Sequence, residues 1–419
     1  MPLSHVPDPA VEAHLGLRFA RADRYCPSEY VEGGTHAATL SDVPAFPQLP
    51  GRLEAAMGSA LTRNPQSEDA FFLNVWTPRG AEHLPVLVFI HGGAWTTGAG
   101  SAQWHDGTVL AGTGMVVVTL NYRLGALAHL APEEGVDPTP LALGDIHHAL
   151  TWVHRNIADF GGDPTRVTLA GHSAGGWYAH VLNLLPQASG LFRRLALLSA
   201  SARTLWTPEH LTEVSHLARA GLVGSDLRTA PVDEVLAAGL AALKQFPPPF
   251  GQPPSAYLPT FSPALPEDLS RAAVPSGHAT ALYLRTTAAE TAAFFYQAPE
   301  RHITADEVGE LFPDCAGSEP YDCLVERTSR ELFVRFADEV AGEAAQAGTP
   351  VQRAVFDHAS TLDGFGAAHT FDLPYQFGNW EAWTDAPMLQ GENREAFERR
   401  SAPLVRELHD FVTAEATAR

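Results

Sequence analysis

Arg166-Val167-Thr168-Leu169-Ala170-Gly171-His172-Ser173-Ala174-Gly175 is the stretch on which the reading of this chain turns. Its first five residues form an apolar, β-branched run suited to a strand buried on both faces. Residues 174–185 suit a helix. Ser173 therefore stands at a tight strand-to-helix turn, and Gly171 to Gly175 make the G-x-S-x-G pattern of a nucleophile elbow. Glycines at 171 and 175 let the backbone bend without steric conflict. The helix start behind the serine offers free N–H groups and the positive end of a dipole, where negative charge can develop. The plain alternative is an inert serine in a glycine-rich turn; the strand before it and the helix after it argue for the elbow.

Outward from the elbow, further apolar runs at 84–90, 115–120, 195–198, 281–284 and 351–356 predict strands. Between them lie helical patterns. Ile146, Ala149, Leu150, Val153 and Ile157 recur at three- and four-residue spacing over 145–160, and Leu404, Leu408, Phe411 and Val412 do so within 395–416. Strands alternating with helices predict the α/β class with a doubly wound, mostly parallel sheet. The alternation is read as one domain over 1–419. It breaks at 205–275, which is expected to be a helical cap or insertion. Residues 205–243 are its helical part, and the proline run from Phe246 to Pro254 is a surface connection.

Composition narrows the function. The 419 residues include 27 basic and 48 acidic side chains, a net charge of −21, which would repel nucleic acid or an anionic membrane surface. A chain 45% apolar and 18% charged is globular. The first residues show neither the basic start nor the apolar core of a signal peptide, and the apolar runs are too short to span a bilayer. The three cysteines cannot make a disulfide framework; Cys315 and Cys323 are close enough to pair, but thiols are expected there. A soluble, cytoplasmic enzyme is the expectation. After the strand at 84–90 comes His91-Gly92-Gly93-Ala94-Trp95, where consecutive glycines can turn main-chain N–H groups into one cavity. Gly92, Gly93 and Ala174 are the candidate oxyanion donors.

Several long stretches make the chain similar to the type-B carboxylesterase (cholinesterase-like) branch of the α/β-hydrolase fold. They are Ser67-Glu68-Asp69-Ala70-Phe71-Phe72-Leu73-Asn74-Val75-Trp76-Thr77-Pro78, Asn121-Tyr122-Arg123-Leu124-Gly125 and Phe160-Gly161-Gly162-Asp163-Pro164, with the elbow and the glycine pair between and after them. The resemblance implies a Ser-His-Glu triad, and it points to Glu290, in Arg285-Thr286-Thr287-Ala288-Ala289-Glu290-Thr291, as the acid. His369 matches the family's His-x-x-acid-Leu-Pro motif through His369-Thr370-Phe371-Asp372-Leu373-Pro374. It also lies in a loop beyond a strand, where an imidazole can turn toward a nucleophile; His358, the competitor, suits a structural bond at a strand end. The implied activity is hydrolysis of small-molecule carboxylic esters through an acyl-enzyme, with no cofactor and no metal. Amide or carbamate hydrolysis on the same residues is the alternative, and a non-catalytic cholinesterase-like binding protein the more distant one. Oligomeric state is not indicated.

Other residues receive structural readings. His147, His148 and His154 share a helix without a cysteine or carboxylate to complete a metal site. Asp145 and Asp163 match recurring family positions and are read as caps at a helix or turn start. Trp95, Trp104, Trp177, Phe294, Phe295 and Phe365 suit either a pocket lining or the core. Three departures from the family stand out: His172 where an acidic residue is common, Ala70 where secreted members often carry a disulfide cysteine, and Ser199-Ala200-Ser201, whose extra methyl would narrow the acyl site. Shorter segments around the expected gorge rim imply an open, permissive site for short acyl chains.

Overall fold

The computed structural model describes residues 10–34, 37–133, 140–201, 205–247, 256–262, 265, 277–297, 304–315 and 319–415. Most of the proline run expected over 246–254 lies outside them, as do residues 255, 263–264 and 266–275 of the expected insertion. One nine-stranded sheet organises the rest: β1 (Val11–Arg21), β2 (Glu29–Gly34), β3 (Phe72–Pro78), β4 (Leu84–Ile90), β5 (Val116–Leu120), β6 (Gly162–His172), β7 (Arg194–Leu198), β8 (Leu282–Thr287) and β9 (Val351–Phe356). Their order is β2-β1-β3-β5-β4-β6-β7-β8-β9. Strands β4 to β9 are mutually parallel, while β1 pairs antiparallel with β2 and β3, and β3 with β5. The expected parallel body is present, and an antiparallel edge extends it.

Alternation along the central strands builds two cores. Val86, Val88 and Ile90 of β4 point to one face, where the helices Leu141–Asn156 and Ala174–Leu184 supply Ile146, Leu150, Val153, Val181 and Leu182. Leu87 and Phe89 point to the other, covered by Phe397, Leu408 and Phe411 of the helix Arg394–Thr413. Strand β9 closes the edge and is largely exposed, with Gln352, Arg353 and Val355 outside the core. Its exposed Gln352 and Arg353 are of the kind that disfavours pairing of an edge with another chain. Within 205–243 lie two helices, Pro208–Ala220 and Val232–Leu243; Thr207 caps the first by accepting from the His210 N–H at 3.2 Å. Among the described residues no helix is long and apolar enough to cross a membrane.

At two points the structure departs from the sequence expectation. Asp145 is not a cap, because its helix begins at Leu141, one turn earlier. It is buried inside, where Arg123 donates to it through Nε at 2.8 Å and Nη2 at 2.6 Å. Asp163 does cap a turn, accepting from the Thr165 N–H at 2.8 Å. Cys315 and Cys323 are not free thiols but are joined in a disulfide.

Register fixes where chemistry can occur. Ile90 sits beside Gly171, and His172 beside Leu198, so the glycine loop after β4 and the turn after β6 leave the sheet side by side. The segments following β8 and β9 emerge at the same carboxyl edge, where open α/β sheets bind ligands.

Candidate active site

The turn after β6 is tight and its backbone strained. Ser173 has φ 55° and ψ −122°, a backbone conformation costing about 1–3 kcal/mol that must be held by its surroundings. Its N–H donates to the Leu198 carbonyl at 2.9 Å, and its own carbonyl accepts from the Trp177 N–H at 3.0 Å. Flanking side chains have no room: a β-carbon on Gly171 would lie 2.2 Å from the Gly175 carbonyl oxygen, and one on Gly175 2.2 Å from that of Ile90. The result is a partly exposed hydroxyl at the start of the helix Ala174–Leu184.

Three residues widely separated in the chain meet at this hydroxyl. His369 Nε2 lies 2.8 Å from Ser173 Oγ, and His369 Nδ1 lies 2.6 Å from Glu290 Oε2. A buried carboxylate can only accept, so Nδ1 carries the proton and Nε2 is left to accept from the serine. Glu290 is fully buried; its Oε1 accepts from the Thr287 N–H at 2.8 Å. The His369 N–H donates to the Glu290 carbonyl at 3.0 Å, lacing the two loops together. Thr291 anchors the glutamate loop in turn, its N–H donating to Ser329 Oγ at 3.0 Å on the helix Pro320–Ser329.

Opposite the helix start lies the loop after β4. Gly93 has φ 118°, and a β-carbon there would come within 1.9 Å of the Thr97 carbonyl oxygen, so only glycine fits. Its carbonyl is turned away to accept from the Thr96 and Thr97 N–H groups, both at 3.0 Å. The N–H groups of Gly92, Gly93 and Ala174 have no acceptor among the described residues. Three donors without partners beside a hydroxyl can receive an oxyanion.

Aromatic rings complete the surroundings. Phe294 and Phe333 lie with ring centroids 5.7 and 4.9 Å from that of His369. Trp95 and Trp177 meet edge to face at 5.8 Å. Trp104 stacks on Trp383, and Phe365 packs on Tyr296 and Phe371 in the core. Ala200, expected to narrow the acyl site, is buried against the helix behind the serine: a β-carbon on Gly176 would lie 2.8 Å from the Ala200 methyl. His358 bonds Glu392 at 3.2 Å, away from the serine, while His147 and His148 each reach a main-chain carbonyl.

Phe333 and a buried ion pair escaped the sequence reading. Arg285 donates to Asp372 Oδ2 through Nε at 3.0 Å and Nη2 at 2.6 Å, and its Nη1 donates to Gln376. Burial works against the Asp372 carboxylate, yet Arg285 and the neighbouring imidazoles hold it below the usual carboxylate range. Phe333 lies on an irregular helical turn, 330–334, and carries no local signal. Asp372 was legible only as the acid of the His369 motif.

Comparison with known proteins agrees with this architecture. The model of the carboxylesterase family matches residues 4–245. A probable N-octanoylanthranilate hydrolase of Rhodococcus erythropolis is 33% identical over 90% of this chain and 83% of its own length. The para-nitrobenzyl esterase of Bacillus subtilis is 34% identical over 75% of this chain and 68% of its own. A solved thermophilic PNB esterase superposes with a TM-score of 0.80 at 26% identity, covering 99% of this chain and 90% of that one. The α/β-hydrolase fold implied by the sequence resemblance is thereby borne out.

Proposed function

As the chain belongs to the carboxylesterase family and is a carboxylic ester hydrolase, we propose that Ser173, His369 and Glu290 are its catalytic triad and that it cleaves short-chain esters with broad specificity. The observation that carries this reading is the unbroken chain from Ser173 Oγ to His369 Nε2, at 2.8 Å, and from His369 Nδ1 to Glu290 Oε2, at 2.6 Å. His369 removes the hydroxyl proton as Ser173 Oγ attacks the ester carbonyl carbon. The imidazolium so formed is stabilised by Glu290. The carbonyl oxygen, now an anion, is received by the Gly92, Gly93 and Ala174 N–H groups, each critical donor worth about 3–4 kcal/mol. His369 then protonates the departing alkoxide, leaving an acyl-enzyme and free alcohol. Water, deprotonated by the same imidazole, attacks the acyl carbon; the acid is released and the proton returns to Ser173.

One observation favours a second reading on the same residues. The Rhodococcus relative is named for an N-acylated anthranilate, an amide, and the match extends over 90% of this chain. A scissile amide asks His369 to protonate a poorer leaving group, and nothing in the triad geometry forbids it. Matched p-nitrophenyl esters and p-nitroanilides, run from acetyl to decanoyl, separate the two. The ester reading predicts a burst of p-nitrophenol equal to the enzyme concentration, best turnover with short acyl chains, and far slower anilide cleavage. Anilide turnover at or above that of the ester would replace it with the amide reading; a folded protein inert toward both would reject both.

A further inference from the structure

His172 is the last residue of β6, its side chain is buried, and it touches no substrate-facing surface in the mechanism above. Its ring nevertheless lies among the working parts. The ring centroid is 4.8 Å from that of His369, with planes inclined by 37°. One edge of the ring faces the glycine loop: a β-carbon on Gly92 would come within 3.1 Å of His172 Nδ1 and 3.0 Å of the Ser173 β-carbon. The other edge faces the loop that carries His369, with Nε2 3.7 Å from Asp372 Oδ1. Neither His172 Nε2 nor Asp372 Oδ1 has a hydrogen-bond partner among the described residues, although both are buried. Asp372 spends its other oxygen on Arg285.

We propose that His172 is a positioning residue for the reaction, a buried ring wedged between Gly92 and Asp372 that fixes the oxyanion donors and the base against Ser173. The inference rests on the esterase reading for its kinetic consequence. Several groups bear on the ring: His369 and Asp372 from one loop, Arg285 from β8, and His105 from beyond the glycine loop. Burial is the largest influence and pushes the His172 imidazole down to about 3, so it stays neutral wherever a hydrolase works. Neutrality matters because a second cation 4.8 Å from His369 would oppose the imidazolium that catalysis needs. A carboxylate there would do the reverse, favouring protonated His369 and raising the pH above which it can act as base.

His172→Glu and His172→Gln test this. In the first, the acid limb of kcat/KM is expected to move up by about one pH unit or more, because an anion now lies beside the His369 ring. In the second, a neutral but smaller side chain should leave that limb in place and lower kcat about tenfold at unchanged KM, through loosened geometry. Wild-type kcat and pH profile in both folded variants would overturn the proposal. So would a lowered melting temperature with unaltered kcat and pH profile per active site, which marks a residue that only supports the fold. Titration of the His369 ring by NMR in Ser173→Ala, with and without His172→Glu, reads the same coupling without turnover. An unshifted His369 midpoint overturns the proposal even if the esterase reading itself fails.

Discussion

Ser173→Ala is expected to lower kcat for a short-chain p-nitrophenyl ester by about 10⁶-fold and to leave the fold intact. The first half follows from the geometry: among the described residues only Oγ stands within hydrogen-bond reach of His369 Nε2, so its loss removes the nucleophile and leaves the base nothing to activate. The second half follows from what else Ser173 does. Its remaining bonds are main-chain ones, to Leu198 and from Trp177, and alanine keeps both. The strained φ of 55° is imposed by those neighbours rather than by the hydroxyl. Stability should change by no more than about 1 kcal/mol, readable as a small shift in thermal melting. Activity within tenfold of wild type would remove Ser173 from the reaction.

Glu290→Gln is expected to lower kcat by about 10⁴-fold with little change in KM. The buried Thr287 N–H needs an acceptor, and Glu290 Oε1 supplies it at 2.8 Å. Glutamine would keep its carbonyl oxygen there and turn its amide NH₂ toward His369 Nδ1, where the carboxylate now accepts at 2.6 Å. That reverses the tautomer. Nδ1 becomes the acceptor, Nε2 carries the proton, and Ser173 faces a ring that cannot take its hydrogen. Because the Thr287 bond survives, the variant should remain folded, which thermal melting checks alongside steady-state kinetics. A loss below tenfold would mean that Glu290 does not set the state of His369.

The parallel body was legible because its strands carry short apolar runs, interrupted in β9 by Gln352 and Arg353; the readings at 84–90 and 351–356 coincide with β4 and β9. The antiparallel edge was not. In β1, Glu12, His14 and Arg18 interrupt the apolar positions, and β2, Glu-Tyr-Val-Glu-Gly-Gly, is polar enough to pass for a loop. Asp145 was misread because local sequence shows a carboxylate near a helix start but not Arg123, its partner from another element. The elbow and the glycine pair are short-range patterns whose physics is written in consecutive residues. Glu290 and His369 are not; separately each is one acid or one histidine among many, and the resemblance singled them out. The arrangement of His172, Asp372 and Arg285 depends on the ends of β6 and β8 converging with the loop beyond β9 at one sheet edge, and no spacing along the chain announces it.

An ester activated at this site should acylate Ser173 covalently. Incubation with a dialkyl p-nitrophenyl phosphate, followed by intact-mass measurement and peptide mapping, tests it most directly. The phosphoryl group replaces the acyl group on the nucleophile and is not readily removed by water, so the first covalent step is trapped. The expected product carries one added dialkylphosphoryl group per chain, with p-nitrophenol released in equal amount and modification confined to the peptide containing Ser173. An adduct on another residue, or none in a folded protein that hydrolyses esters, would contradict it.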